Sequence, residues 1–161
     1  MKKILLKILA ASFILLSVGT FTSCKDDDTH EVETTITVND LPTAAQAFLK
    51  KYFPEYSVQK IIKNIEENVT IYEVSLEDGD EVDFDALGEW IQVNSEYGKT
   101  IPTGFIPEPI IQTLDYQYNG YGIAEINTSG QNYHLVLSNN QGGDSIELVF
   151  NQSGEIIPGN Q

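Results

Sequence analysis

Apolar positions along the chain change rhythm near residue 54. Before it, Leu41, Ala45, Phe48, Leu49, Tyr52 and Phe53 recur at three- and four-residue spacing, which lays one apolar stripe along a helix. Asp40 and Pro42 are start signals, and Pro54 ends the run. Beyond it the period drops toward two. Ser57 to Ile65 is rich in Ile and Val; Ile71 to Glu77 sets Tyr72, Val74 and Leu76 against Glu73, Ser75 and Glu77. Asp78-Gly79 predicts a two-residue type I′ hairpin, because Gly accepts the positive φ that such a turn requires. Asp80 to Asp85 returns with Val82 and Phe84 inward, and Ala86-Leu87-Gly88 leads into a last strand, Glu89 to Val93.

The same pattern then comes again. At a separation of 65 residues, Leu41 matches Ile106, Pro42 Pro107, Ala45 Ile110, Leu49 Leu114, Phe53 Tyr118, Val58 Ile123 and Ile61 Ile126. The separation becomes 61 for Tyr72 and Tyr133, Val74 and Leu135, Leu76 and Leu137, then 66 for Val82 and Leu148, Phe84 and Phe150, Gly88 and Gly154, Glu89 and Glu155. Offsets shift only where turns are expected, so the chain reads as a tandem duplication. The second copy predicts a shorter helix around Glu108 to Tyr116 and strands at Gly122 to Asn127, Asn132 to Ser138, Ser145 to Asn151 and Glu155 to Ile157. The expected class is α+β: helix and four strands, twice over, in repeats of about 40–100 and 105–158, forming one antiparallel sheet with its helices on one face.

Composition narrows the setting. The 161 residues carry 9 Lys, no Arg and 24 Asp and Glu, a formal net charge of −15. Phosphate binding draws on basic side chains, so a nucleic-acid partner is excluded. Three of the lysines, Lys2, Lys3 and Lys7, precede an apolar stretch from Ile8 to Val18 and small residues before Cys24. These are the parts of a secretory signal over residues 1–23; a retained anchor helix is the alternative, with an apolar stretch short of the roughly 20 residues a span needs. From Cys24 onward six Lys face all 24 acids, a net charge of −18.

Cys24 is the only cysteine, so it cannot staple the domain internally. Thr22-Ser23-Cys24 resembles the lipobox of bacterial lipoproteins, with Phe21 where that pattern has Leu. The resemblance implies lipidation of Cys24. Cys24-Lys25-Asp26-Asp27-Asp28 resembles the lipoprotein export signal of Bacteroidetes, which implies display on the outer membrane surface; the other reading of the acidic run is a solvated linker. Residues 24–39 are polar and without helical periodicity, and read as a stalk before a domain at 40–158.

Across that domain, "LPTAAQAFLKKYFP", "YEVSLEDGDEVDFDALGEW", "IPEPIIQTL" and "YHLVLSNNQGGDSIELVFNQSGEI" resemble the PepSY-like, β-lactamase-inhibitor-like family of Bacteroidetes lipoproteins. The resemblance implies a binding or inhibitory module. It carries no inhibitory residue with it, because the shared motifs are structural: a Leu-Pro helix start, a Tyr-x-Val strand and a Phe-Asp-x-x-Gly turn.

Catalytic chemistry has few candidates. His30 and His134 are the only histidines, and no G-x-S-x-G elbow accompanies His134, Asp144 and Ser145. The sequence predicts no enzyme and no cofactor. Six acids crowd Glu77 to Asp85, where Ca²⁺ could find oxygen ligands; EF-hand spacing fails there, and alternation makes a solvated strand face the simpler reading. The sheet face away from the helices is the candidate binding surface. It is expected to carry Glu73, Glu77, Glu81, Asp83 and Asp85 in the first copy and His134, Val136, Glu147 and Val149 in the second. Asp144-Ser145-Ile146 matches a short O-glycosylation pattern used in Bacteroidetes, which makes Ser145 a candidate site. The function expected is therefore a non-enzymatic surface lipoprotein that binds an envelope or extracellular protein or peptide, with no metal site; the alternative is a Ca²⁺ or small-ligand module centred on hairpin 77–85, with a hydrolase third.

Overall fold

The computed structural model describes residues 32–96, 99–139 and 145–158. Nine strands follow one another in a single antiparallel sheet whose spatial order is the chain order. They are β1 (Val32–Thr35), β2 (Val58–Glu66), β3 (Val69–Leu76), β4 (Glu81–Asp85), β5 (Trp90–Asn94), β6 (Tyr121–Ser129), β7 (Asn132–Asn139), β8 (Ile146–Asn151) and β9 (Ile156–Ile157). Helix α1 (Thr43–Tyr52) precedes β2, and α2 (Glu108–Gln117) precedes β6. Fold class, helix positions and the single antiparallel sheet agree with the sequence pattern.

The core forms where the period-two and helical patterns meet. Ile61, Val74, Val82, Val93, Ile126, Leu135 and Leu148 stand opposite one another on successive strands, an unbroken apolar row beneath the helices. Ala45 and Leu49 of α1 and Ile110 and Leu114 of α2 close over it in one cluster. Burying each large side chain of this row contributes roughly 1.5–3 kcal/mol. Phe48 of α1 meets Phe84 edge-on at 5.5 Å between ring centroids, and Phe105 from the connection between the halves packs on Phe48 and Trp90, each at 5.0 Å.

Four details depart from expectation. The segment expected as a stalk contributes β1, which pairs with β2 from Val32–Ile65 to Thr35–Ile62. Its four residues are all exposed, so no buried apolar face announced the strand. Both helices are ten residues long, so α2 is no shorter than α1. The turn at Asp78-Gly79 is not type I′: Gly79 alone has positive φ (93°), Gly79 N–H donates to Leu76 O at 3.1 Å, and Leu76 N–H donates to Asp80 O at 2.9 Å. That is a three-residue loop closed by a left-handed Gly. The two consecutive positive-φ residues lie instead at Glu67 (48°) and Asn68 (68°), between β2 and β3.

Glycines fix the helices to the sheet. Gly88, at φ 84°, lies where a Cβ would come within 2.7 Å of Pro42 Cβ and 2.9 Å of the Ala45 nitrogen; at Gly154, φ 77°, it would meet the Pro109 carbonyl at 2.5 Å. Each turn is tied the same way. Asp85 Oδ1 accepts from Leu87 and Glu89 N–H, both 2.9 Å, and Asn151 Oδ1 accepts from Ser153 N–H at 2.9 Å and Glu155 N–H at 3.0 Å.

Candidate functional site

Because both helices cover one side, the alternate residues of every strand face away from the core. Antiparallel register assembles them into transverse rows. One row runs Ile62, Glu73, Asp83, Gln92, Asn127, His134, Val149, Ile157 from β2 to β9. Its neighbour runs Lys60, Ser75, Glu81, Asn94, Glu125, Val136, Glu147 from β2 to β8. One-residue register shifts lie between Val58 and Lys60, between Ile123 and Glu125, and against Asp83–Phe84 on β5. Such bulges bend a strand and raise its twist.

The rows sort the expected surface. Glu73 and Asp83 are directly opposite, as are His134 and Val149, and Val136 and Glu147. Glu81 joins them on the second row. Glu77 does not: it lies in the β3–β4 loop, exposed, and its N–H donates to Ser57 O. Asp85 faces outward but is engaged in capping the next turn. Asp80, one of the six acids of residues 77–85, is 3% exposed. Its Oδ1 accepts from Glu96 N–H at 3.1 Å, while Lys99 Nζ donates to Asp78 O at 2.6 Å and pairs with Glu96 at 2.8 Å. These contacts tie the connection between the halves to the acidic hairpin. Burial, the largest influence, holds the Asp80 carboxyl above the usual carboxylate range.

Alternation in single strands did not reveal the middle of the face. Gln92 and Asn94 of β5 and Glu125 and Asn127 of β6 join the two halves, through the pairs Gln92–Asn127 and Asn94–Glu125. Asn94 Oδ1 is buried with no hydrogen-bond donor among the described residues. These positions alternate in sequence as any strand does; only the β5–β6 pairing makes them central. At Asp83, burial and then the charges of Glu73 and Glu81 push the carboxyl up to about 7.

Over β6–β9 the face hollows into a groove of about 640 Å³. Val136, Val149 and Ile157 supply apolar lining, and Glu125, Asn127, His134 and Glu147 supply polar lining. No hydroxyl or thiol side chain lines it among the described residues, so His134 has no nucleophile beside it there. Among the described residues no group of three or more His, Cys, Asp or Glu is arranged to hold a metal ion, and no helix is long and apolar enough to cross a membrane. Ser145 is exposed just before β8. Cys24, Lys25, Asp26, Asp27 and Asp28 lie outside the described residues, as does Asp144.

A family model described as "Putative beta-lactamase-inhibitor-like, PepSY-like" matches residues 26–78 and 70–158. The chain belongs to this PepSY-like family. Among solved structures, a "putative periplasmic protein of unknown function" from Bacteroides vulgatus is 32% identical, with a TM-score of 0.69, covering 80% of this chain and 97% of its own. A DUF2874-family "putative periplasmic protein" from the same species is 28% identical, TM-score 0.70, covering 78% and 94%. A "putative calcium-regulated periplasmic protein" from Bacteroides thetaiotaomicron is 26% identical, TM-score 0.71, covering 78% and 94%. No curated protein matches the chain in sequence. The PepSY-like match spans both halves of the sheet, so the open face belongs to the part of the chain that the family shares.

Proposed function

We propose that this PepSY-like protein is a non-enzymatic binding module of the cell envelope that grips a protein or peptide partner with its open sheet face. The observation that carries this is the groove over β6–β9 continuing along shared rows into the acidic half of the same face. Surfaces that combine apolar floor with patterned charge are suited to steering and holding a macromolecule. The family description makes inhibition of an envelope enzyme the natural form of that binding. Two further readings belong with it. Tandem duplication is supported by the matching turn caps, by helix starts at Pro42 and Pro107, and by row separations of 65, 61 and 66 residues between the halves. Lipid anchoring at Cys24, with surface display directed by Lys25 to Asp28, would place the face outside the cell.

A photo-crosslinking residue at Gln92, installed in the full-length protein in cells, is expected to trap a protein adduct that the same residue at exposed Tyr116 on α2 does not. Equal yields at both positions would sink the docking reading. Cys24→Ala is expected to abolish palmitate incorporation and release the protein from membranes.

A calcium-linked role is the second reading, favoured by the description of the Bacteroides thetaiotaomicron protein. The described carboxylates do not fit a Ca²⁺ cage, which takes six to eight oxygens: Asp80 is turned inward and Asp85 caps a turn. Calorimetry with CaCl₂ separates the readings, since a binding heat with a raised melting temperature would favour calcium.

A further inference from the structure

The partner's chemistry can be taken further; this step rests on the docking reading above. On these two rows of the open face, Glu81, Asp83, Glu125 and Glu147 share the surface with one lysine, Lys60 at the β2 end of its row. Inside the groove Val136 has Glu125 on one side and Glu147 on the other, so its apolar floor lies between carboxylates. From His134 in the groove the first row passes Asn127 and Gln92 before it reaches Asp83. Strands lie about 4.8 Å apart, so three steps span about 14 Å.

That distance decides the size of the occupant. A metal ion or small metabolite cannot fill the groove and also reach Asp83, whereas an extended chain advances about 3.3 Å per residue and crosses in four or five. The sign of the face decides the charge. A negatively charged segment would meet the carboxylates of Glu81, Glu125 and Glu147 beside Asp83, and like charges brought together in a partly desolvated surface cost affinity. We propose that the open face takes a cationic protein segment laid across the strands, with an aliphatic side chain between Val136 and Val149 and a Lys or Arg, three to five residues along it, at Asp83 and Glu81.

The probes are three acetylated, amidated peptides with one valine and one lysine separated by two, three or four serines, each beside a version with glutamate for lysine and one with serine for valine. They are titrated into the full-length protein in detergent. At least one valine–lysine peptide is expected to bind saturably, with about tenfold weaker binding when lysine becomes glutamate and about tenfold weaker binding from low salt to about 0.5 M salt. The double variant Glu81→Gln, Asp83→Asn is expected to lose the lysine preference while keeping the valine preference, and Val136→Ser the reverse; a cooperative thermal unfolding transition in each establishes that both fold. No saturable binding by any of the lysine peptides, equal binding of the glutamate versions, or a lysine preference that survives the double variant would each overturn the proposal. Crosslinked adducts at Gln92 alongside any of these results would leave the docking reading standing and remove only its cationic partner.

Discussion

Glu73 and Asp83 stand directly opposite each other on β3 and β4, on the row that faces away from the core. Like charges at such positions destabilise a sheet, and the protein accommodates them by holding a proton on Asp83 to about pH 7.

A pH dependence of stability follows from that pair. Asp83 is raised from 3.8 to about 7 in the folded chain, chiefly by burial. Between those values the folded state binds more protons than the unfolded one, so stability falls as pH rises and levels off above about 7. Asp83→Asn removes the titrating group. It is expected to raise stability near pH 8 by about 1–2 kcal/mol, less than the roughly 4 kcal/mol of the whole displacement, because the open face leaves the carboxyl partly in water. Below pH 4 the gain should vanish; thermal melts showing the same gain at about pH 4 and about pH 8 would refute this account.

Gly88→Ala tests the attachment of α1. A methyl group there combines positive φ with contacts under 3 Å to Pro42 and the Ala45 backbone. The expected loss is about 2–3 kcal/mol in chemical denaturation. Gly154→Ala should behave alike at α2, whereas Gly130→Ala, with nothing within 4 Å of the added carbon, retains only the backbone strain. Equal losses at all three would show that the close approach to the helices is immaterial.

Asp80 is predicted to matter through its acceptor rather than its charge. Asp80→Ala leaves Glu96 N–H without its Oδ1 partner and is expected to cost about 1–3 kcal/mol. Asp80→Asn can keep the bond, so it should cost less than the alanine variant at neutral pH. An asparagine variant as unstable as the alanine one would mean that the carboxylate charge, through Lys99, is the larger contribution.

Among apolar positions, Phe84→Ala is expected to cost about 3–5 kcal/mol, because the ring is fully buried against Phe48. Leu87→Ala, three residues later and 76% exposed, is expected within about 0.5 kcal/mol of the parent. A shared melting temperature for the two would contradict the core as described.

Much of this architecture was legible because apolar residues repeat with clear periods. The spacing from Leu41 to Phe53 marked α1, and the alternation from Tyr72 to Leu76 marked the buried side of β3. Less could be read where local chemistry was ambiguous. Asp80 looks like its neighbouring acids in sequence, and only the approach of Glu96, sixteen residues on, shows why it is buried. Glu67 and Asn68 adopt positive φ without a glycine to announce it. For the candidate site, alternation put Glu73, Asp83, His134 and Val149 on the outer face. It did not reveal Gln92, Asn94, Glu125 and Asn127 as its centre, because strand order is a long-range property that no window of sequence contains.

The β5–β6 ladder joins the halves by three residue pairs, Gln92–Asn127, Val93–Ile126 and Asn94–Glu125. Under the proposed duplication it sets the last strand of one repeat against the first strand of the next, a head-to-tail contact. Contacts of that kind do not close on themselves, and by their own geometry would go on adding units into a ribbon. Here the described sheet stops at both ends. β1 lays four exposed, largely polar residues over β2, while β9 is two residues long and runs into Pro158. Short or polar borders with proline nearby are poor templates for another strand. The outermost strands thus act as chain terminators for a sheet whose internal joint is open-ended.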